Sequence, residues 1–200
     1  MKRPAARLFA LVPVLITACT IAPAPEPAGR GAGDGLLPPP GFGTLLQDDV
    51  TMRLLSRDLE IKVTPLDESV TRATAPDTYQ RLSALAGTNR ATAPQGSQLF
   101  LVSFFSDQPG IRFVPEEVQL ISRGLRMRPL AILPVTPSWG QGRLQQRQTE
   151  MAVYAFPSEI DLESDLVLAY GLEETAMWSQ ILPRVQAERA RARARAGAGD

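Results

Sequence analysis

Leu59-Glu60-Ile61-Lys62-Val63-Thr64, closed by Pro65, decides the fold class. Apolar and polar residues alternate with period two, so one face of an extended strand faces a core and the other meets water. Pro65 lacks the donor needed to continue a ladder, and the run stops there. Further along, Leu99-Phe100-Leu101-Val102-Ser103-Phe104-Phe105 is apolar on both faces, as a central strand is. Val118-Gln119-Leu120-Ile121 and Leu125-Arg126-Met127-Arg128 flank Gly124 and predict a hairpin with arginines toward water. Glu150-Met151-Ala152-Val153-Tyr154-Ala155-Phe156 and Leu166-Val167-Leu168-Ala169-Tyr170 complete the strands. Pro and Gly between these runs keep them from fusing into helices.

Two helices interrupt the pattern. The stretch from Thr74 to Gly87 has Pro76 near its start, Asp77 in the first turn and a terminal glycine. Tyr79, Leu82 and Leu85 or Ala86 share one face, expected to cover a sheet edge or sandwich end. A second helix is expected to begin near Pro183, with Trp178 anchoring this C-terminal segment beside Ile181, Leu182 and Val185. Short strands at this spacing suggest an antiparallel sandwich. The order resembles the uncharacterised immunoglobulin-like domains of bacterial envelope proteins. The residues that carry the likeness are Leu59-Glu-Ile-Lys-Val-Thr-Pro-Leu66 before a helix, and Ile160-Asp-Leu-Glu-Ser-Asp-Leu-Val-Leu-Ala-Tyr-Gly171 leading into a late strand. The resemblance implies a mainly β, immunoglobulin-like antiparallel β-sandwich with one short inserted helix and a C-terminal helix. It also implies binding or scaffolding, not catalysis.

At the N-terminus, Lys2, Arg3 and Arg7 precede the apolar run Leu8-Phe9-Ala10-Leu11-Val12-Pro13-Val14-Leu15-Ile16, and small residues lead into Cys19. Basic, apolar and small zones in that order are the layout of an export signal. The run is shorter than the roughly 20 residues a bilayer span needs. Ile16-Thr17-Ala18-Cys19 resembles the lipobox of bacterial lipoproteins, with Ile16 where leucine is usual. That resemblance implies a diacylglycerol on the Cys19 sulfur, cleavage between Ala18 and Cys19, and palmitate-type acylation. The protein is then expected in the cell envelope, anchored by lipid, and on the outer membrane facing the periplasm where two membranes exist. Cys19 is the only cysteine, so the mature chain has no disulfide.

The domain plan follows: signal at 1–18, lipidated cysteine and Pro/Ala/Gly-rich tether at 19–43, sandwich at 44–183, and a basic Arg/Ala tail at 184–200. The 24 residues from 20 to 43 span about 27 Å as a flexible coil and about 74 Å as polyproline. The chain has 21 basic and 21 acidic residues; removal of Lys2, Arg3 and Arg7 leaves 18 against 21, a formal charge of −3. That balance gives no reason to expect a nucleic acid.

The chain has no histidine, which excludes a Ser-His-Asp triad and His-bearing zinc sites. It also lacks a G-x-S-x-G elbow, a P-loop and a G-x-G-x-x-G turn. Lys62 is the only lysine after cleavage and sits on the polar face of its strand. The acidic pairs Asp48-Asp49, Glu116-Glu117 and Glu173-Glu174 fall at element edges; two well-placed carboxylates suffice for glycoside hydrolysis, so a carboxylate-based hydrolase or carbohydrate-active lipoprotein is the alternative. Asp161, Glu163 and Asp165 alternate in a way that would suit a hard cation, or the solvent face of a strand entry with Leu162 and Leu166 turned inward. Leu166 and Leu172 stand where an EF-hand loop wants glycine and glutamate, so that motif fails. No cofactor is expected. Trp139, within Pro137-Ser138-Trp139-Gly140-Gln141-Gly142, is either a partner-binding hot spot or an indole folded over the sandwich end. Arg189, Arg191, Arg193 and Arg195 alternate with alanine; spread around a 3.6-residue period they leave no clean apolar face, which predicts a frayed tail, either a solubilising one without specific contact or one that docks on a membrane or an acidic partner. The expected partners are the membrane through Cys19 and an envelope protein or cell-wall polymer.

Overall fold

Both faces of the central apolar run are covered, by different layers. In the computed structural model, which describes residues 37–198, that run is β3 (Gln98–Ser106). Ala18, Cys19 and the tether up to residue 36 lie outside the described residues. Phe100, Val102 and Phe104 of β3 enter the main core, while Leu99 and Leu101 on its other face join a second cluster. A strand buried on two sides has no reason to alternate, and its sequence does not.

Around β3 stand β1 (Met52–Ser56), β2 (Leu59–Pro65), β7 (Ala131–Pro134) and β9 (Gln148–Phe156), in the antiparallel order β1-β2-β3-β9-β7. A second sheet has the order β11-β10-β5-β6, from β5 (Val118–Ser122), β6 (Leu125–Met127), β10 (Leu166–Tyr170) and β11 (Glu173–Thr175). β4 (Ile111–Arg112) and β8 (Arg143–Leu144) pair apart from both. The protein is therefore mainly β, an antiparallel sandwich. Its core joins Leu59, Ile61 and Val63 of β2 and Tyr154 and Phe156 of β9 with Val118 and Leu120 of β5 and Leu166 and Leu168 of β10. The predicted hairpin forms: Ser122 faces Leu125 across the two-residue turn Arg123-Gly124, whose φ values are 51° and 76°. Positive φ at both central residues matches the right-handed twist of the flanking strands.

The inserted helical segment is two helices. Asp67 accepts a hydrogen bond from the Ser69 N–H at 2.8 Å and caps α1 (Glu68–Thr71). α2 (Pro76–Arg90) starts at the predicted proline but runs past Gly87, because nothing demands a left-handed residue there. Leu82, Leu85 and Ala86 pack on Leu99, Leu101, Val153 and Ala155. The helix thus lies on the outer face of the larger sheet; the expectation that it covers an edge or sandwich end is corrected.

The C-terminal helix differs more. α3 (Trp178–Gly197) begins before Pro183 and carries that proline within it. Trp178, Ile181 and Val185 are fully buried, and the indole N–H donates to the Leu162 carbonyl at 3.2 Å. Burial of this face outweighs the hydrogen bond that Pro183 removes. Beyond Val185 the helix continues through the alanine–arginine run, with Glu188 and Ala192 buried, so the frayed tail is corrected to a docked helix. None of the described helices is long and apolar enough to cross a membrane.

The chain enters the domain against α3. Gly43 lies so close to the backbone of Ala73 that an added Cβ would sit 2.3 Å from its carbonyl carbon, so only glycine fits. The Leu45 N–H donates to the Ala73 carbonyl, and the Ala75 N–H donates back to Leu45. Thr44 Oγ1 donates to Glu188 at 2.8 Å, and Arg195 donates to the Phe42 carbonyl at 2.5 Å.

Candidate functional site

Two tight turns meet where the sheets come together. Arg57-Asp58 joins β1 to β2, and Gly171-Leu172 joins β10 to β11. Arg57 takes φ 54° and Gly171 φ 57°, so each loop is two residues long and its tip is held by flanking ladders. Leu172 at one tip is 99% exposed, and Leu55 on the edge strand β1 is 73% exposed. Isolated exposed leucines are ordinary, but these two flank adjoining clefts. One, of about 500 Å³, is bounded by Arg57, Asp58, Ile111, Arg112, Glu117, Tyr170 and Glu173 around Leu172. The other, of about 640 Å³, runs between Leu55 and Glu60 on one side and Glu173, Glu174 and Met177 on the other.

The chemistry within the first cleft is mixed. Tyr170 reaches its floor, and its hydroxyl accepts the Val114 N–H at 2.9 Å. Burial pushes the phenol up despite that bond, and the charges of Glu117 and Glu173 add to the rise. Glu117 and Glu173 both approach Gly171: a Cβ there would lie 3.6 Å from one carboxylate oxygen and 3.9 Å from the other. Both carboxylates are exposed. Arg57 and Arg112 are the cations at the rim. Sequence reading missed this site because its parts come from four separate segments.

The residues singled out from sequence go elsewhere. Trp139 is 8% exposed, with its ring centroid 5.5 Å from Phe113, 5.8 Å from Phe104 and 6.2 Å from Tyr154. It is part of the core, which removes it as a partner-binding surface residue. Its loop is held by a carboxylate that sequence reading passed over. Glu150, 1% exposed on β9, accepts from Ser138 Oγ and Gln148 Nε2 at 2.5 Å each, and from Thr136 Oγ1. Three neutral donors satisfy a buried acid without a cation. No sequence signal separates Glu150 from an ordinary strand-end glutamate.

Asp161, Glu163 and Asp165 do not converge. Asp161 accepts the Glu163 N–H at 2.9 Å and pairs with Arg123 at 2.5 Å. The backbone bond first and Arg123 next hold its carboxyl below the usual carboxylate range, against burial. Glu163 pairs with Arg189 at 2.6 Å, and Leu162 and Leu166 between them are buried. Among the described residues, no group of three or more carboxylates and thiols is arranged to hold a metal ion.

The four tail arginines divide. Arg189 is committed to Glu163, and Arg195 to Glu188 and the Phe42 carbonyl. Burial pushes the Glu188 carboxyl up, but hydrogen bonds from Thr44 and Arg195, with the guanidinium charge, outweigh it and hold the group below the usual range. Arg191 is 70% exposed, 3.7 Å from Glu188, and Arg193 is exposed. No family model matches the chain, and no curated protein or solved structure matches it.

Proposed function

We propose that this is a lipid-anchored envelope protein whose domain binds or scaffolds another envelope protein or a cell-wall polymer without catalysis. The anchor and compartment rest on the lipobox-like Ile16-Thr17-Ala18-Cys19. The binding role rests on one observation, the pair of exposed leucines, Leu55 on an edge strand and Leu172 on a tight turn, standing over adjoining clefts. Apolar side chains held out by a paired strand and a tight turn lose little backbone entropy on binding, which favours recognition. A photo-crosslinking residue at Leu172 in intact cells should capture a discrete partner, with yield falling sharply when Leu55→Glu is added. Equal yield from Leu172 and from Leu125, an exposed leucine on the β5–β6 hairpin, would reject the site.

Glu117 and Glu173 give the hydrolase alternative a specific basis, since both approach one point of a cleft. Carboxylate catalysis needs environments that set one acid apart from the other. Two exposed carboxylates in an open cleft lack that asymmetry, and binding remains the preferred reading.

A further inference from the structure

The tether and the arginine run come together at one corner of the domain. Walking back along the chain, Asp49 meets Arg184, Thr44 meets Glu188 and Phe42 meets Arg195, so residues 42–49 run antiparallel to α3. The chain therefore enters beside the last turns of α3. From Arg189 to Ala198 every charged residue is arginine. Arg189 and Arg195 turn to internal acceptors, while Arg191 and Arg193 are exposed, and the exposed Phe42 lies beside Arg195. Around this corner Asp49, Glu163 and Glu188 are each matched by an arginine. Arg193 has no carboxylate partner among the described residues, so the corner is cationic. Residues 20–36 join Cys19 to Leu37, a reach of about 23 Å for a flexible coil and about 53 Å for polyproline.

We infer that this corner docks on the anionic headgroups of the bilayer that holds Cys19, with Arg191 and Arg193 supplying charge and Phe42 apolar contact. The inference rests on the lipid-anchor reading proposed above. The tether limits how far the corner can move from the surface, and an exposed guanidinium that comes within a Debye length of it is attracted. Docking there fixes the domain's orientation. Asp49 lies just before β1 and Arg57 just after it, so the turns at Arg57 and Leu172 sit at the end of β1 opposite the Asp49–Arg184 contact, on the side away from the arginine corner.

The test uses the lipidated protein purified from cells, with acylation of Cys19 checked by mass spectrometry on the same sample. It is reconstituted in vesicles of phosphatidylcholine alone or with phosphatidylglycerol added. A fluorophore on Ala194→Cys reports on the corner, and one on Leu172→Cys reports on the distant turn. Phosphatidylglycerol should shield the 194 label from an aqueous quencher several-fold and leave the 172 label unchanged. High salt should abolish the shielding. Arg191→Gln with Arg193→Gln, both at exposed positions, should lower the ratio of docked to undocked domain roughly thirtyfold and leave the melting curve intact. Equal quenching at 194 on the two vesicle types, in acylated protein, overturns the docking and leaves the anchor standing. Shielding that appears in detergent without vesicles overturns it in favour of self-association. A mature chain without acyl groups overturns both readings at once.

Discussion

Glu188 and Asp161 are the two carboxylates whose protonation the fold resists most directly. Both are held below the usual carboxylate range, Glu188 by bonds from Thr44 and Arg195 that overcome burial, Asp161 by the Glu163 N–H and Arg123. A carboxyl depressed in the folded state contributes stability that is complete above its unfolded pKa and is lost as pH falls through the folded value. Urea midpoints should therefore fall on the acid side of the unfolded carboxylate range. Glu188→Gln combined with Asp161→Asn should lower the midpoint near neutrality and flatten the acid-side slope. An unchanged slope would show that other groups carry the acid sensitivity. Neither role was legible in the sequence, where Asp161 stood in an acidic alternation open to a cation or to solvent and Glu188 was a tail residue. Each depends on a partner far along the chain: Arg123 lies 38 residues from Asp161, and Thr44 lies 144 residues from Glu188. Trp139 was half legible, since a loop indole covering the core was one of two readings and the structure selects it.

At the scale of elements, strands were read more reliably than helix ends. β2, β3, β9 and β10 fall where period-two alternation or doubly apolar runs placed them, because these are long and buried. β4 and β8 have two residues each and carry no pattern. α3 was misread for an instructive reason. Its buried stripe is Trp178, Ile181, Val185, Glu188 and Ala192, which keeps helical spacing but changes from large apolar groups to a glutamate and an alanine. A hydrophobic periodicity breaks at the glutamate and gains little from the small alanine, so the stripe reads as ending at Val185. Ala192→Glu forces a carboxylate into a fully buried position, and should cost about 2–4 kcal/mol in chemical denaturation. Trypsin should then cut faster within residues 189–195. If neither changes, the last turns of α3 are not docked in solution.

For the whole molecule, the antiparallel sandwich was legible and its wrapping was not. Strand order β1-β2-β3-β9-β7 sets β3 beside a strand some 50 residues later, a pairing that local pattern cannot specify. Nor could it show α2 on the outer face of the larger sheet, although the doubly apolar β3 required some cover there. The proposed anchor belongs to this scale as well. Mass spectrometry of the mature N-terminus should find acylated Cys19, and Cys19→Ala should shift the protein from the detergent phase to the aqueous phase. A mature chain beginning at another residue without lipid would remove the anchor and the compartment together. The contact between Arg195 and the Phe42 carbonyl has a topological consequence. It brings the first and last segments of the domain within one hydrogen bond of each other, so the polypeptide path is nearly a closed ring. A short glycine bridge between them, with the ring opened instead at the exposed Asp107-Gln108 turn, leaves every described strand uncut. The fold is thus a candidate for circular permutation.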